Sequence, residues 1–333
     1  MDIFGAGLQV FLKKNTGIAP PFRSKFPWLG ADLQTLRNSF AKRPVAPMIH
    51  KRLLASIEGD KQAINISVTY PEAGTENGKA VLLVHGLGGD EDSYYKVCAA
   101  NSFLRDGWSV YRMNFREVGP SRETSLPPYS AGLTDDLRAA LEAVAEDALD
   151  QKIYALGFSL GGQLLLRTLG EGRVTERLAA AATVSAPLNL SNTLKKLQRP
   201  RNSVYVNYLV KNMMRDLGAV AANRFGVEPK ILTTVWAFDE HVIAPAFGFS
   251  GAEDYYKNVS CFPFLDKITT PLLAIHGKDD PWIPWEDYRD ACWPVDKVVG
   301  AVLLAGGGHV GFHCGATKGV WYQRAVTRFF NKF

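Results

Sequence analysis

Cysteine is scarce in this chain of 333 residues, and long apolar runs are missing from it. Its four cysteines, Cys98, Cys261, Cys292 and Cys314, lie far apart and form no CxxC pair. In a chain of this length we expect them to be small buried residues in a reducing compartment rather than disulfide partners. Because no run of about eighteen apolar residues occurs, the sequence predicts no membrane-spanning helix.

Signals for secretion and for nucleic-acid binding are also weak. Residues 1–17 carry Asp2 early and place Lys13 and Lys14 after the apolar part, which is the wrong order for a signal peptide. We therefore expect a cytoplasmic protein whose N-terminal arm packs on the domain, with at most peripheral membrane contact. The net charge is +5, but the basic cluster at 195–201 lacks interleaved aromatic residues. We interpret it as a solvated face and predict no nucleic-acid partner.

Short apolar runs alternate with longer helical segments along most of the chain. The apolar runs are 80–85, 108–114, 152–158, 180–185, 271–276 and 298–304, and the helical segments include 93–105, 131–148, 160–170 and 318–330. Runs that are apolar throughout are typical of parallel strands covered on both faces. The alternation predicts an α/β fold with a mostly parallel, doubly wound sheet.

Three other regions differ from this alternation. Residues 49–56 and 63–70 are β-like runs separated by a turn near 58–60, and they predict an N-terminal antiparallel hairpin. Residues 15–47 are rich in proline and basic residues and lack clear periodicity, as in an irregular arm. Between Pro187 and about Phe262 the alternation lapses, which predicts a mostly helical cap.

These patterns predict a division of the chain into three parts. An N-terminal arm occupies residues 1–45, and a core is formed by residues 46–187 together with 263–333. The cap, residues 188–262, is inserted into the core. Its apolar, Met- and Tyr-containing composition is compatible with a pocket for an acyl chain, although such residues are more often ordinary core.

The segment 154–170, YALGFSLGGQLLLRTLG, places a serine at the bend between an apolar run and an amphipathic one. Gly157, Ser159 and Gly161 form a G-x-S-x-G motif. A serine that turns sharply from a strand into a helix exposes its Oγ, and the flanking glycines avoid collisions with the neighbouring strand and helix. The helix N-terminus beneath it favours negative charge. The pattern predicts a nucleophile elbow with Ser159 as the nucleophile.

A serine hydroxyl needs a base to act as a nucleophile at neutral pH, and the base needs an orienting group. Among six histidines, His309 follows a strand-like run within a glycine-rich loop, from which an imidazole can reach the carboxyl edge of the sheet. We predict that His309 is the base. The other histidines are interpreted as structural or surface residues: His50, His85, His241, His276 and His313.

The orienting acid is expected after another strand, between the serine and the histidine in the chain. The segment LLAIHGKDDPWIP supplies Asp279 and Asp280. The strand–Gly–x–x–Asp–x–x–x–Pro spacing from Gly277 to Pro284 favours Asp280, and Asp279 is the alternative. A solvated turn with two acids is the competing structural interpretation, because Asp-Pro is common in turns. The order serine, aspartate, histidine differs from the orders in the two serine-protease folds.

Backbone N–H groups are expected to stabilise the oxyanion. Leu160 directly follows the nucleophile, and Leu87 lies between two glycines in the segment VHGLGGDED. The same glycine-rich segment fails as a dinucleotide fingerprint at its sixth position, and no Walker pattern occurs, so we predict no cofactor. His309 and His313, four residues apart, could ligate a metal, but without an H-E-x-x-H motif or a cysteine pair we predict no metal site.

With these residues in place, the chain resembles the α/β-hydrolase superfamily over about residues 45–333. More narrowly it resembles the YheT-like hydrolases, relatives of eukaryotic membrane-associated lipid hydrolases. The narrower resemblance rests on the stretches FPWLGADLQTL, LLVHGLGGDEDSYY, MNFREVGPSRE, YSAGLTDDL, FDEHVIAPAFGFSGAEDYY and GGHVGF. It implies an ester hydrolase of carboxylesterase or lipase-like type with the triad Ser159, Asp280 and His309, and a site shaped by residues 129–132 and 255–256.

The chain departs from the family pattern at two places. Glu117 stands where the family usually has glycine in an Arg-Gly pair after the third strand. An acid at that position is expected to alter the conformation of the loop or the polarity of the pocket. The segment 238–243 also lacks the threonine usual before the Ala-Pro pair. Both departures weaken the transfer of a substrate preference while leaving the chemistry intact.

The sequence thus predicts a cofactor-free serine hydrolase that acts on carboxylic esters, with a small-molecule or lipid-like ester as its partner. One alternative keeps the triad but changes the reaction, giving a thioesterase, an amidase or an acyltransferase. A second alternative is a non-catalytic binding protein on a hydrolase fold. Such a protein would normally lack a triad member, and this sequence lacks none.

Overall fold

A single sheet organises the computed structural model of the chain, which describes residues 8–10, 22–24, 26–57, 62–124, 128–294, 299–314 and 320–333. Its nine described strands are β1 Leu8–Val10, β2 Lys51–Ser56, β3 Ala63–Thr69, β4 Lys79–Val84, β5 Ser109–Met113, β6 Lys152–Phe158, β7 Leu178–Val184, β8 Leu272–Gly277 and β9 Val299–Leu304. Their spatial order is β1-β9-β8-β7-β6-β4-β5-β3-β2. Strands β4 to β9 are mutually parallel, whereas β1, β2 and β3 pair antiparallel to their neighbours.

Helices cover the two faces of this sheet. Those described are α1 Ala31–Phe40, α2 Tyr94–Arg105, α3 Thr134–Asp147, α4 Leu160–Glu171, α5 Leu190–Leu197, α6 Ser203–Phe225, α7 Val235–Phe238, α8 Ala244–Ala246, α9 Ala252–Val259, α10 Glu286–Asp290 and α11 Trp321–Phe330. A π-helical turn, Asp239–Ile243, joins α7 to α8. None of the described helices combines the length and apolar character that crossing a membrane requires.

Burial on both faces explains why the central strands are apolar throughout. In β4, Leu82 and Val84 belong to one hydrophobic core, whereas Val81 and Leu83 belong to the other. Successive side chains of a strand point to opposite faces, so a sheet covered twice needs apolar residues at every position. The two cores place α3, α4 and the helices of residues 188–262 on one face and α2 with α11 on the other.

The predicted fold class is confirmed. The parallel strands and the hairpin of β2 and β3 lie within two residues of their predicted bounds, and the region 188–262 is mostly helical. The predicted turn near 58–60, much of the predicted arm and the first residues of the predicted helix 318–330 lie outside the described residues. The division of the chain into arm, core and cap remains a prediction.

The prediction of an irregular segment over residues 15–47 is wrong at α1. This helix buries Gln34 and Thr35 rather than a row of apolar side chains. An amphipathic helix is recognised from sequence by apolar residues at helical spacing, and a helix held by polar contacts lacks that signal.

Candidate active site

Ser159 stands at the sharp turn between β6 and α4. Its backbone has φ 50° and ψ −121°, a left-handed region that non-glycine residues seldom occupy. A Cβ on Gly157 would lie 2.6 Å from the Gly161 carbonyl oxygen, and one on Gly161 would lie 2.4 Å from the His85 carbonyl oxygen. The two glycines therefore let helix α4 and strand β4 approach the turn closely, as the G-x-S-x-G motif requires.

His309 lies in the loop after β9 and faces Ser159. Its Nε2 is 3.0 Å from Ser159 Oγ, and its Nδ1 is 2.9 Å from Asp280 Oδ2. Since a carboxylate only accepts hydrogen bonds, the network assigns the proton to Nδ1, and Nε2 is left to accept from the serine hydroxyl. The indole of Trp282 stacks on the imidazole with ring centroids 4.0 Å apart. The serine, histidine and aspartate thus form one continuous hydrogen-bonded line.

Asp280 is the acid that contacts His309. Its Oδ1 accepts hydrogen bonds from the backbone N–H groups of Trp282 and Ile283, at 2.8 and 3.1 Å. Burial by itself raises the pKa of this carboxyl, but the adjacent His309 and these amide donors hold it below its usual value. Asp279, the alternative acid, instead accepts from the Gly308 amide at 2.9 Å and so supports the histidine loop.

The other buried histidines have structural partners. His85 Nδ1 is 2.9 Å from the Gly86 carbonyl oxygen, and its Nε2 accepts from the Phe115 amide at 3.1 Å. His276 stacks on Tyr288 with its Nδ1 3.9 Å from Asp280 Oδ2, and burial lowers its pKa to about 4. His276 therefore lies next to Asp280 as a neutral side chain near pH 7.

The ring nitrogens of His313 contact helix α1. Its Nδ1 is 3.1 Å from Arg37 Nη1, and its Nε2 is 3.0 Å from Asn38 Oδ1. Burial, with the neighbouring Arg37, lowers the pKa of His313 to about 3. Within the described ranges, no group of three or more His, Cys, Asp or Glu side chains is placed to hold a metal ion.

The predicted oxyanion donors belong to two segments next to Ser159. Leu160 is the first residue of α4, so its amide is one of those that a helix leaves without an intrahelical acceptor. The loop that carries Leu87 approaches Ser159 closely, because a Cβ on Gly86 would lie 2.9 Å from Ser159 Cβ. Leu87 and Leu160 both line the pocket beside Ser159 and His309.

The pocket above Ser159 is almost entirely apolar. It encloses about 710 Å³ of space free of protein atoms, open mouth included. Residues of the region 188–262 supply much of its wall: Leu190, Leu194, Leu197, Leu209, Met213, Val235 and Ile243. Residues of the two segments implied by the family resemblance, Tyr129 with Ala131 and Tyr255 with Tyr256, also line it.

One carboxyl from the cap enters this apolar wall. Asp239, the first residue of the π-helical turn, lines the pocket and accepts a 2.6 Å hydrogen bond from the Tyr256 hydroxyl. Burial raises the pKa of Asp239 to about 7, although the hydrogen bond from Tyr256 acts in the opposite direction. Asp239 therefore titrates near neutral pH, at the wall of the pocket that Ser159 also lines.

Glu117, the predicted departure from the family pattern, has an unusual backbone conformation and a buried side chain. Its backbone φ is 57°, the left-handed region in which glycine carries no penalty. The side chain is buried, and this burial raises the pKa of its carboxyl. Glu117 is not among the described residues that line the pocket. Glu117 thus places strain and a buried acid in the loop rather than polarity in the pocket.

The sequence analysis assigns no role to several residues that contact the His309 loop. One of them, Trp282, follows Asp280 by two positions, and this short spacing is a local signal that could have predicted its place in the same turn. Ser185 accepts from the Val310 amide at 3.1 Å, and Thr35 accepts from the His309 amide at 2.8 Å. The contacts of Ser185 and Thr35 join residues more than 100 positions apart, so no local sequence pattern predicts them.

Comparison with known proteins identifies the family to which the chain is similar. A family model described as the alpha/beta hydrolase fold matches residues 79–315. The chain is 27% identical over 288 residues to the putative esterase YheT of Escherichia coli, covering 84% of this chain and 83% of that protein. It is also 27% identical over 316 residues to phospholipase ABHD3 of Mus musculus, covering 90% of this chain and 74% of that protein.

A yeast relative and a solved structure extend this comparison. The monoacylglycerol lipase of Saccharomyces cerevisiae is 27% identical over 281 residues, covering 79% of this chain, and the match spans 61% of the lipase. The Pyrococcus furiosus esterase Pf2001 has a TM-score of 0.56 at 15% identity, with 88% of this chain and 98% of that chain covered. At that identity the structural likeness concerns the fold alone.

Proposed function

The chain belongs to the alpha/beta hydrolase fold family and is similar to esterases and lipases, and we propose that it is a serine hydrolase that cleaves carboxylic esters. The observation that carries the proposal is the hydrogen-bonded line from Ser159 Oγ through His309 to Asp280, with distances of 3.0 and 2.9 Å. Such a line supplies a nucleophile, a base and a group that orients the base. Its position at the end of an apolar pocket supports an ester with an apolar part.

Acylation would begin with attack of Ser159 Oγ on the ester carbonyl carbon, while His309 Nε2 takes the hydroxyl proton. The developing imidazolium is stabilised by Asp280, which its amide donors keep ionised. His309 then returns the proton to the departing alcohol oxygen as the bond between acyl carbon and alcohol oxygen breaks. This leaves the acyl group on Ser159 and releases the alcohol.

Deacylation repeats these steps with water. His309 takes a proton from the water that attacks the acyl-serine, and gives a proton back to Ser159 Oγ as the carboxylic acid leaves. In both halves a negatively charged oxygen forms on the tetrahedral carbon, and we assign its stabilisation to the amides of Leu87 and Leu160. Preorganised donors of this kind stabilise a transition state by several kcal/mol.

For the substrate, we propose esters whose acyl chain enters the apolar pocket lined by the cap. Leu194, Leu209 and Met213 there would be covered by a hydrocarbon chain, and removal of apolar surface from water favours binding. The division into an arm at 1–45, a core at 46–187 and 263–333, and a cap at 188–262 remains part of this proposal. So does the cytoplasmic location.

The test is hydrolysis of p-nitrophenyl acetate, butyrate and octanoate by the unaltered protein and by Ser159→Ala. We expect kcat/KM to fall by about four orders of magnitude or more in the variant, because the attacking oxygen is gone. Ser203→Ala, which alters an exposed serine, is the matched control and is expected to behave as the unaltered protein. Equal turnover by Ser159→Ala, with a preserved thermal transition, would remove the assignment.

A further inference from the structure

Helix α1 begins within the segment FPWLGADLQTL, residues 26–36, which is one of the stretches that carry the family resemblance and which the proposed chemistry does not use. The helix lies outside the residues matched by the family model, which begin at residue 79. Its apolar residues Leu33 and Phe40 are 46% and 74% exposed, whereas its buried residues are the polar Gln34 and Thr35. Polar groups, more than an apolar stripe, attach this helix to the domain.

Those polar groups contact the loop that carries His309. Thr35 Oγ1 accepts a hydrogen bond from the His309 backbone N–H at 2.8 Å and donates to the Ala31 carbonyl oxygen at 2.8 Å. The side-chain amide of Gln34 forms two hydrogen bonds with the backbone of His313. Gln34 Oε1 accepts from the His313 N–H at 2.6 Å, and Gln34 Nε2 donates to the His313 carbonyl oxygen at 2.9 Å. Asn38 Nδ2 donates to the Val310 carbonyl oxygen at 3.1 Å.

The same loop approaches the helix backbone closely. A Cβ on Gly308 would lie 2.5 Å from the Ala31 carbonyl oxygen, and a Cβ on Gly311 would lie 2.5 Å from the Gln34 carbonyl oxygen. Such contacts place the loop directly against α1, with no room for side chains between them. The glycines of the segment GGHVGF therefore fit the loop to the helix.

The backbone of the loop needs this support. Val310 and Phe312 have φ values of 54° and 52°, and Gly308 between them and the strand has φ 57°. Left-handed conformations at non-glycine residues persist only where the surrounding structure imposes them. The hydrogen bonds from α1 to residues 309, 310 and 313 act on this strained stretch.

We propose that α1 is a positioning element for the base, in which Thr35 and Gln34 hold the loop so that the His309 imidazole lies within hydrogen-bonding distance of Ser159. This inference rests on the proposed function, because it assigns a role in the same reaction. Thr35 touches the backbone of His309 and not the reacting atoms, so it acts through the geometry of the base. A displacement of about 1 Å in a reacting group can lower a rate about a hundredfold.

The test compares Thr35→Val, which keeps the shape but removes the acceptor, with Thr35→Ser, which keeps the hydroxyl. Titration with a fluorophosphonate counts the active sites, so kcat on p-nitrophenyl butyrate is expressed per active site. We expect Thr35→Val to lower this kcat about 10- to 100-fold at little-changed KM, and Thr35→Ser to restore most of it. Ser39→Ala, on the exposed face of α1, is the matched control with no expected effect.

A second variant covers the case in which Thr35→Val fails to fold. Asn38→Asp keeps the side-chain shape but loses the donor to the Val310 carbonyl oxygen, and we expect a severalfold lower kcat per active site. Unaltered kcat per active site in the folded variants, with only the number of sites or the thermal midpoint reduced, would overturn the positioning role. That result would mean that α1 supports stability alone.

A readout that does not depend on turnover separates this inference from the proposed function. The proton on His309 Nδ1, in its hydrogen bond to Asp280, should give a low-field proton resonance in the unaltered protein. We expect Thr35→Val to shift or broaden this resonance, and Ser39→Ala to leave it in place. An unchanged resonance in Thr35→Val contradicts the inference even if the unaltered protein hydrolyses no ester. Absence of hydrolysis and of fluorophosphonate labelling in the unaltered protein would instead contradict the proposed function.

Discussion

On the core side of the pocket, Asp280 lies behind His309, whereas on the cap side Asp239 lies in the apolar wall. Both carboxyls are buried, yet Asp280 has its pKa held below the usual value and Asp239 has its pKa raised to about 7. Asp280 accepts from two backbone amides and from His309, while the described partner of Asp239 is the Tyr256 hydroxyl. The number and charge of the donors, rather than burial, decide whether a buried carboxyl stays ionised.

This difference separates two uses of the same residue type. An ionised Asp280 can orient His309 and stabilise its charged form during the reaction. A carboxyl that titrates near neutrality, such as Asp239, changes the polarity of the pocket wall with pH. The core side therefore carries a carboxylate that stays charged beside His309, and the cap side carries a carboxyl whose charge depends on pH near neutrality.

The core side of the comparison is tested by Asp280→Asn, for which we expect the largest effect. The amide keeps the shape but removes the charge and can favour the wrong histidine tautomer, so kcat on p-nitrophenyl butyrate should fall about 10³- to 10⁴-fold. Asp279→Asn is the matched control, because its remaining oxygen can still accept from the Gly308 amide. A larger loss in Asp279→Asn than in Asp280→Asn would reverse the assignment of the acid.

The cap side is tested by Asp239→Asn through the pH dependence of stability. Because the pKa of Asp239 is raised to about 7 in the folded protein, the unaltered protein loses stability as pH rises from about 4 through about 7. Asparagine does not titrate, so the thermal midpoint of Asp239→Asn should rise relative to the unaltered protein over this window and level off above it. Exposed Asp150→Asn serves as the control. Parallel midpoints for Asp239→Asn and the unaltered protein from pH 5 to 8 would contradict the raised pKa.

Glu117→Gly extends the comparison of Asp280 and Asp239 to a third buried carboxyl, one that does not line the pocket. We expect its effect to be the smallest of the three. Relief of the left-handed backbone should raise the free energy of unfolding by about 1–2 kcal/mol. The greater freedom of glycine in the unfolded chain should lower it by about 0.5–1 kcal/mol. Loss of a buried carboxyl with a raised pKa adds to the gain at higher pH. We expect a stabilisation of about 1 kcal/mol in urea unfolding at pH 8. A destabilised Glu117→Gly would show that the glutamate contributes more than its backbone costs.

The strands of the sheet, and the approach of Ser159, His309 and Asp280 to one another, could be predicted from the sequence because local sequence patterns indicate them. Apolar runs bounded by glycine mark the parallel strands, and the G-x-S-x-G motif marks the turn at Ser159. The residue spacing after β8 favours Asp280 over Asp279 as the acid, and in the structure Asp280 is hydrogen-bonded to His309.

What could not be predicted depends on contacts between distant residues. Helix α1 is attached by Gln34 and Thr35, and polar side chains at those positions give no amphipathic pattern. The π-helical turn that brings Asp239 into the pocket has no signature in the segment 238–243. In both cases the decisive hydrogen bonds join separate elements, and their partners are identified only when the chain is folded.

The most direct test of the account is to locate the nucleophile chemically. The unaltered protein is treated with a fluorophosphonate at neutral pH, digested, and mapped by mass spectrometry, with Ser159→Ala treated in parallel. The expected result is a single phosphonylated site at Ser159 that is absent from the variant. An unlabelled Ser159 in the folded protein, or a label of equal extent in Ser159→Ala, would contradict the claim that Ser159, His309 and Asp280 act together as a nucleophilic site.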